Sequence, residues 1–161
     1  LPFLPSLSAA YPDAKLVLML RDPVKASASV VDVGGTLFYM RSDNLGTRRS
    51  RGKFVDGNSS EQTLQNMISW MEEGVIPRAQ IQPLPYLDFF ADPDPQLERL
   101  YAALSIELPG AAKQAMLDYI ADKPKNKFGH HEYETGSPEL IAEERERFRV
   151  FQEYFGVVSE V

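Results

Sequence analysis

Arg21 and Ser29, eight residues apart, are the side chains in this sequence whose types and spacing best suit a ligand site. The arginine offers a planar fork of N–H donors with a full charge, and the serine hydroxyl adds one more donor. Together they suit an oxyanion such as a phosphate group. The surrounding residues must position them. An apolar run, Leu16 to Leu20, is bounded in front by Pro12-Asp13 and behind by Arg21-Asp22-Pro23. Its length and lack of alternation predict a strand buried on both faces, as in a parallel sheet. Asp22 is a good helix N-cap, and Pro23 suits the first helical position, where its missing N–H costs nothing. The segment therefore reads as strand, sharp turn, helix, with Arg21 at the carboxyl end of the strand. Open α/β sheets bind ligands in the crevice at that end. Ser29 lies seven residues after Asp22, on the same helix face and about 10 Å further along the axis, so a phosphate fits between it and Arg21.

Composition narrows the function classes. The chain has 161 residues, of which 43% are hydrophobic, enough for one domain with a core. A net charge of −6 argues against nucleic acid as the partner of the whole chain. The absence of cysteine excludes disulfides, thiol nucleophiles and cysteine-ligated zinc, and is compatible with the cytoplasm. No apolar run approaches the roughly 18 residues of a membrane span. His130 and His131 are adjacent and point in different directions. No third ligand cluster stands beside them, so no metal site is read.

The remaining chain supplies scaffold. Residues 41–60 turn polar and carry the basic cluster Arg48-Arg49-Ser50-Arg51-Gly52-Lys53, which predicts a solvated, mobile loop. Gly34-Gly35 reads as a helix terminator. Ser59 and Gln62 form a capping box, after which Leu64, Met67, Ile68, Met71 and Val75 recur at helical spacing. Pro83 and Pro85 interrupt the next strand pattern, Ile81 onward, and predict an edge strand or a frayed one. Helices follow over 95–104, over 111–120 burying Ala112, Ala115, Met116 and Tyr119, and over 138–158. In the last, Ile141, Phe148, Phe151 and Phe155 face inward, residues 143–147 face solvent, and Gly156 ends the helix.

Pro12-Asp-Ala-Lys15, the apolar strand, Arg21-Asp22-Pro23 and then Ser29 together resemble the sulfotransferases, with the bacterial branch the nearest. Tyr86, Asp88, Asp92 and Pro93 continue the resemblance, with Leu87 in place of the usual glutamate. Lys127, Gly129, His131 and Tyr133 keep the order of a loop that closes over the donor nucleotide, with His131 read as orienting it. Phe151, Tyr154, Phe155 and Gly156 match the terminal helix of the family. The resemblance implies the carboxyl-terminal portion of a P-loop-type three-layer α/β fold, with parallel strands flanked by helices, mostly helical over this chain and forming one partial domain. It implies transfer of a sulfuryl group from 3′-phosphoadenosine 5′-phosphosulfate to a hydroxyl or amine of a small-molecule acceptor, without a metal. Arg21, Ser29, Lys127 and Gly129 would hold the 3′-phosphate of the donor. The glycine-rich loop for the 5′-phosphosulfate and the general base of the family would lie upstream of Leu1. No catalytic residue is therefore assigned within the chain, and the chain alone is expected to be inactive. The alternative is a non-catalytic sulfotransferase-like binding module. Neither acceptor identity nor oligomeric state is specified.

Overall fold

A computed structural model describes residues 3–41, 59–123 and 135–161. Their architecture is mixed α/β, mostly helical, with a small two-stranded parallel sheet. Helix α1 (Leu4–Ala10) leads through a turn at Pro12-Asp13, closed by the Ala14 N–H on the Tyr11 carbonyl, into β1 (Leu16–Leu20). Helix α2 (Pro23–Tyr39) follows directly, and α3 spans Ser59–Glu72. A short 3-10 turn, Arg78–Gln80, precedes β2 (Ile81–Pro85). Then come α4 (Tyr86–Ala91), α5 (Pro93–Ala103), α6 (Gly110–Asp122) and α7 (Pro138–Phe155).

The two strands pair in parallel from Leu16 opposite Ile81 to Leu20 opposite Pro85. Successive N–H groups of a strand point to opposite edges, so Pro83 and Pro85 lack donors on the same edge. The ladder can therefore draw its β2 donors from Gln82 and Leu84. That resolves the proline question in favour of an intact edge strand. Buried polar contacts set how the strands enter the sheet. The Ser8 hydroxyl donates to Gln80 Oε1, and Gln80 Nε2 donates to the Tyr11 and Pro12 carbonyls at 3.2 and 2.7 Å.

The core lies on one face of this sheet. Leu20, Met67, Met71, Ile76, Ile81 and Phe151 are buried together, and Leu16, Leu18, Leu64, Ile68 and Trp70 pack around them. The helical stripe expected on α3 is the one buried, except that Ile76 is enclosed and Val75 is exposed. Burying one such side chain contributes about 1.5–3 kcal/mol.

Four expectations need correction. β1 is covered on one face only among the described residues: Val17 and Met19 are 46% and 45% exposed, because the layer of α3 and α7 lies on the Leu16, Leu18 and Leu20 side. Gly34-Gly35 does not end α2, which continues to Tyr39. Gly35 instead extends the buried stripe of Val24, Ala28 and Val31 at helical spacing. Helix α6 has no buried residue, and Tyr119 is exposed. It is held to α5 through Lys113, whose ammonium lies 2.8 Å from Asp94 and 2.7 Å from Glu98. Finally, α7 stops at Phe155, three residues before Val158.

Candidate functional site

The parallel register places the residues that follow the two strands side by side. Leu20 is opposite Pro85, so Arg21 and Tyr86 leave the sheet at the same end. Tyr86 opens α4, and its ring rests against Phe90 one turn later, with centroids 4.7 Å apart. The Arg21 guanidinium carbon lies 4.3 Å from the Tyr86 ring centroid, a cation–π contact. A cavity of about 140 Å³ opens here, lined among others by Arg21, Asp22, Tyr86, Asp88, Phe155 and Glu160.

The Arg21 fork holds an anion within the chain. Its Nε donates to Glu160 Oε1 at 3.0 Å and its Nη2 to Glu160 Oε2 at 3.1 Å. The pair is well shielded, with side-chain exposures of 23% for Arg21 and 10% for Glu160. This two-point geometry is the one by which arginine binds carboxylate or phosphate. A phosphate presents a like pair of oxygens.

Asp22 builds the floor beneath this fork. It caps α2 as expected: Oδ1 accepts from the Val24 N–H at 3.0 Å, and its carbonyl accepts from the Ala26 N–H. The side chain is fully buried and also receives Arg145, with Nη1 on Oδ1 at 2.7 Å and Nη2 on Oδ2 at 3.2 Å. A fourth donor, the Glu160 N–H, reaches Oδ2 at 2.7 Å. Burial pushes the Asp22 carboxyl up. The Arg145 hydrogen bond, the Glu160 and Val24 N–H groups and the Arg145 charge outweigh it and hold the carboxyl below its ordinary range. Asp22 thus remains an anion and anchors both α7 and the tail.

The tail arrives through a glycine turn. Gly156 adopts φ of 64°, a left-handed conformation that suits a residue without Cβ. The Val157 N–H then closes on the Gln152 carbonyl at 2.9 Å, completing a Schellman motif that reverses the chain. Val157 packs on the core, and Arg145 Nη2 donates to the Val161 carbonyl at 3.0 Å. Glu160 is thereby delivered to a strand end 139 positions earlier in the chain.

A family model described as "Sulfotransferase family" matches residues 1–110. The chain belongs to the sulfotransferase family. Membership points to sulfuryl transfer and hence to a transferase. No curated protein and no solved structure matches the chain significantly. The matched span of this sulfotransferase-family chain contains Arg21, Ser29, Tyr86 and Asp88, whereas Arg145 and Glu160 lie beyond it.

Of the residues singled out from sequence, Arg21 stands at the strand end, in the cavity. Ser29 is half-buried on α2, two turns past the Asp22 cap, and is not among the residues lining that cavity. Lys127, Gly129, His130, His131 and Tyr133 lie outside the described residues, as does nearly all of the polar stretch 41–60. Among the described residues, no group of three or more His, Asp or Glu is placed to hold a metal, and no helix is long and apolar enough to cross a membrane. Sequence reasoning missed Glu160 and Arg145. Arg145 carried a usable signal, since residues 141, 144, 145, 148, 151, 152 and 155 recur at the helical period and form one face. Glu144 and Arg145 therefore belong to the inward face of α7, not to the solvent side on which their charge placed them.

Proposed function

We propose that this chain forms the 3′-phosphate-binding part of an enzyme that uses 3′-phosphoadenosine 5′-phosphosulfate, in a P-loop-type three-layer arrangement and a cytoplasmic setting. The observation that carries the reading is the Arg21 fork. It stands at the carboxyl end of a parallel strand, flanked by an aromatic ring, and already engages two oxygens of an anion.

In the reaction, the oxygen or nitrogen of a small-molecule acceptor attacks the donor sulfur. The bond from sulfur to the oxygen of the 5′-phosphate breaks, and 3′-phosphoadenosine 5′-phosphate leaves. The acceptor gives up its proton to a base. Arg21 grips the 3′-phosphate through its fork. Ser29 adds a hydroxyl donor from α2, and Lys127 and Gly129 add charge and a close backbone approach. These contacts are remote from the reacting sulfur and equal in ground and transition states, so they set donor affinity more than turnover.

The test is a calorimetric titration with 3′-phosphoadenosine 5′-phosphate, compared with ATP. A charge-assisted hydrogen bond contributes about 1.5–3 kcal/mol. Arg21→Ala is therefore expected to raise the Kd for the bisphosphate by roughly one to two decades. An unchanged Kd, or a preference for ATP, refutes the assignment.

A further inference from the structure

We infer that Glu160 is a built-in competitor for the nucleotide phosphate, so that the tail over residues 157–161 latches Arg21 shut until the bisphosphate displaces the carboxylate. The inference rests on the reading of Arg21 given above and adds a control element to it. Three observations carry it. First, the Glu160 carboxylate takes Nε and Nη2 together, at 3.0 and 3.1 Å, so an incoming phosphate that needs the same two donors must displace it. Leaving it in place would set two anions side by side in a shielded pocket, where like charges repel strongly. Second, the backbone around Glu160 is fixed independently of its side chain. The Glu160 N–H is held by Asp22 and the Val161 carbonyl by Arg145. Releasing the carboxylate therefore requires rotation of one flexible side chain, and the tail keeps the competitor beside its site at high effective concentration. Third, Asp22 and Arg145 already neutralise one another, so the arginine that Glu160 covers is the one directed at the cavity.

A competitor that occupies its site for about nine-tenths of the time weakens apparent affinity on the order of tenfold. Titration of the full chain with 3′-phosphoadenosine 5′-phosphate should thus give a Kd about tenfold lower for Glu160→Gln than for the wild type. Glu160→Ala serves as the second variant should the amide disturb folding, and circular dichroism checks both. Glu153→Gln, a neutralisation on the exposed side of α7, should leave the Kd unchanged. In the Arg21→Ala background the gain from Glu160→Gln should vanish, since there is no fork left to unlatch. Unchanged or weaker binding by both Glu160 variants, while Arg21→Ala still weakens the wild type, overturns the latch and leaves the phosphate site standing. A gain that persists without Arg21, or that Glu153→Gln reproduces, shows only a change in net charge and equally overturns it. Absence of Arg21-dependent binding in every variant refutes the phosphate site itself, and the latch with it.

Discussion

Replacing Asp22 with asparagine isolates the charge that joins α2, α7 and the tail. Asparagine caps helices about as well as aspartate, so loss of the cap contributes little to the change. The carboxylate accepts from Val24 N–H, from both Arg145 Nη atoms and from Glu160 N–H, at 2.7 to 3.2 Å. With the amide oxygen kept toward Val24 and Nη1, the new NH₂ group faces Nη2 and the Glu160 N–H, both of them donors. Breaking a buried pair by removing one partner costs about 3–5 kcal/mol. Arg145 is 26% exposed and keeps Gln152 Oε1 and the Val161 carbonyl at 2.9 and 3.0 Å, which favours the lower end, about 3 kcal/mol. The assay is urea unfolding at pH 7 followed by fluorescence of Trp70, the single tryptophan, which packs on the core. The midpoint should fall with an unchanged slope. The pH dependence supplies the sign. A carboxyl depressed in the folded state stabilises fully above its ordinary value of 3.8 and loses that contribution as pH falls through the folded value. The gap between wild type and variant should therefore be complete from about pH 5 to 7 and close below about pH 4. A loss under about 0.5 kcal/mol at pH 7, within the scatter of surface substitutions, would refute the reasoning.

Substitutions at two further positions test the frame around the site. Met67→Ala removes a fully buried side chain from the shared core and should cost about 2–5 kcal/mol at constant slope. A loss near zero in the same urea assay would mean that α3 does not pack on the sheet as described. Gly156→Ala places a Cβ where nothing lies within 4 Å, so its cost is the left-handed backbone alone, about 1–2 kcal/mol. Gly156→Asn should lose less, and equal losses would show that the backbone conformation is not the cause.

Local chemistry made part of the site legible from the amino-acid order. An apolar run ending in Arg-Asp-Pro commits the chain to a strand, a cap and a helix start within a few residues, and the structure has β1, the Asp22 cap and α2 in that order. The stripe on α3 and the Gly156 stop follow from the same short-range rules. Charge read without periodicity misleads: Glu144 and Arg145 carry charges that suggest solvent, although the spacing of the α7 aromatics already puts them inward.

Other features depend on which distant segments meet. Exposure of Val17 and Met19 is decided by where α3 and α7 settle, and a run of apolar residues reads the same whether one face or two are covered. The sparse burial of α6 likewise reflects its neighbours, since helical spacing reports a face and not whether anything covers it. Above all, the Glu160 carboxylate on Arg21 exists because a parallel register aligns two strand ends and a left-handed glycine turns the tail back over them. The residue types at positions 21 and 29 suggest an oxyanion as ligand. Which anion sits on the arginine is set by a contact spanning 139 positions, and no pattern of neighbouring residues encodes a distance in space.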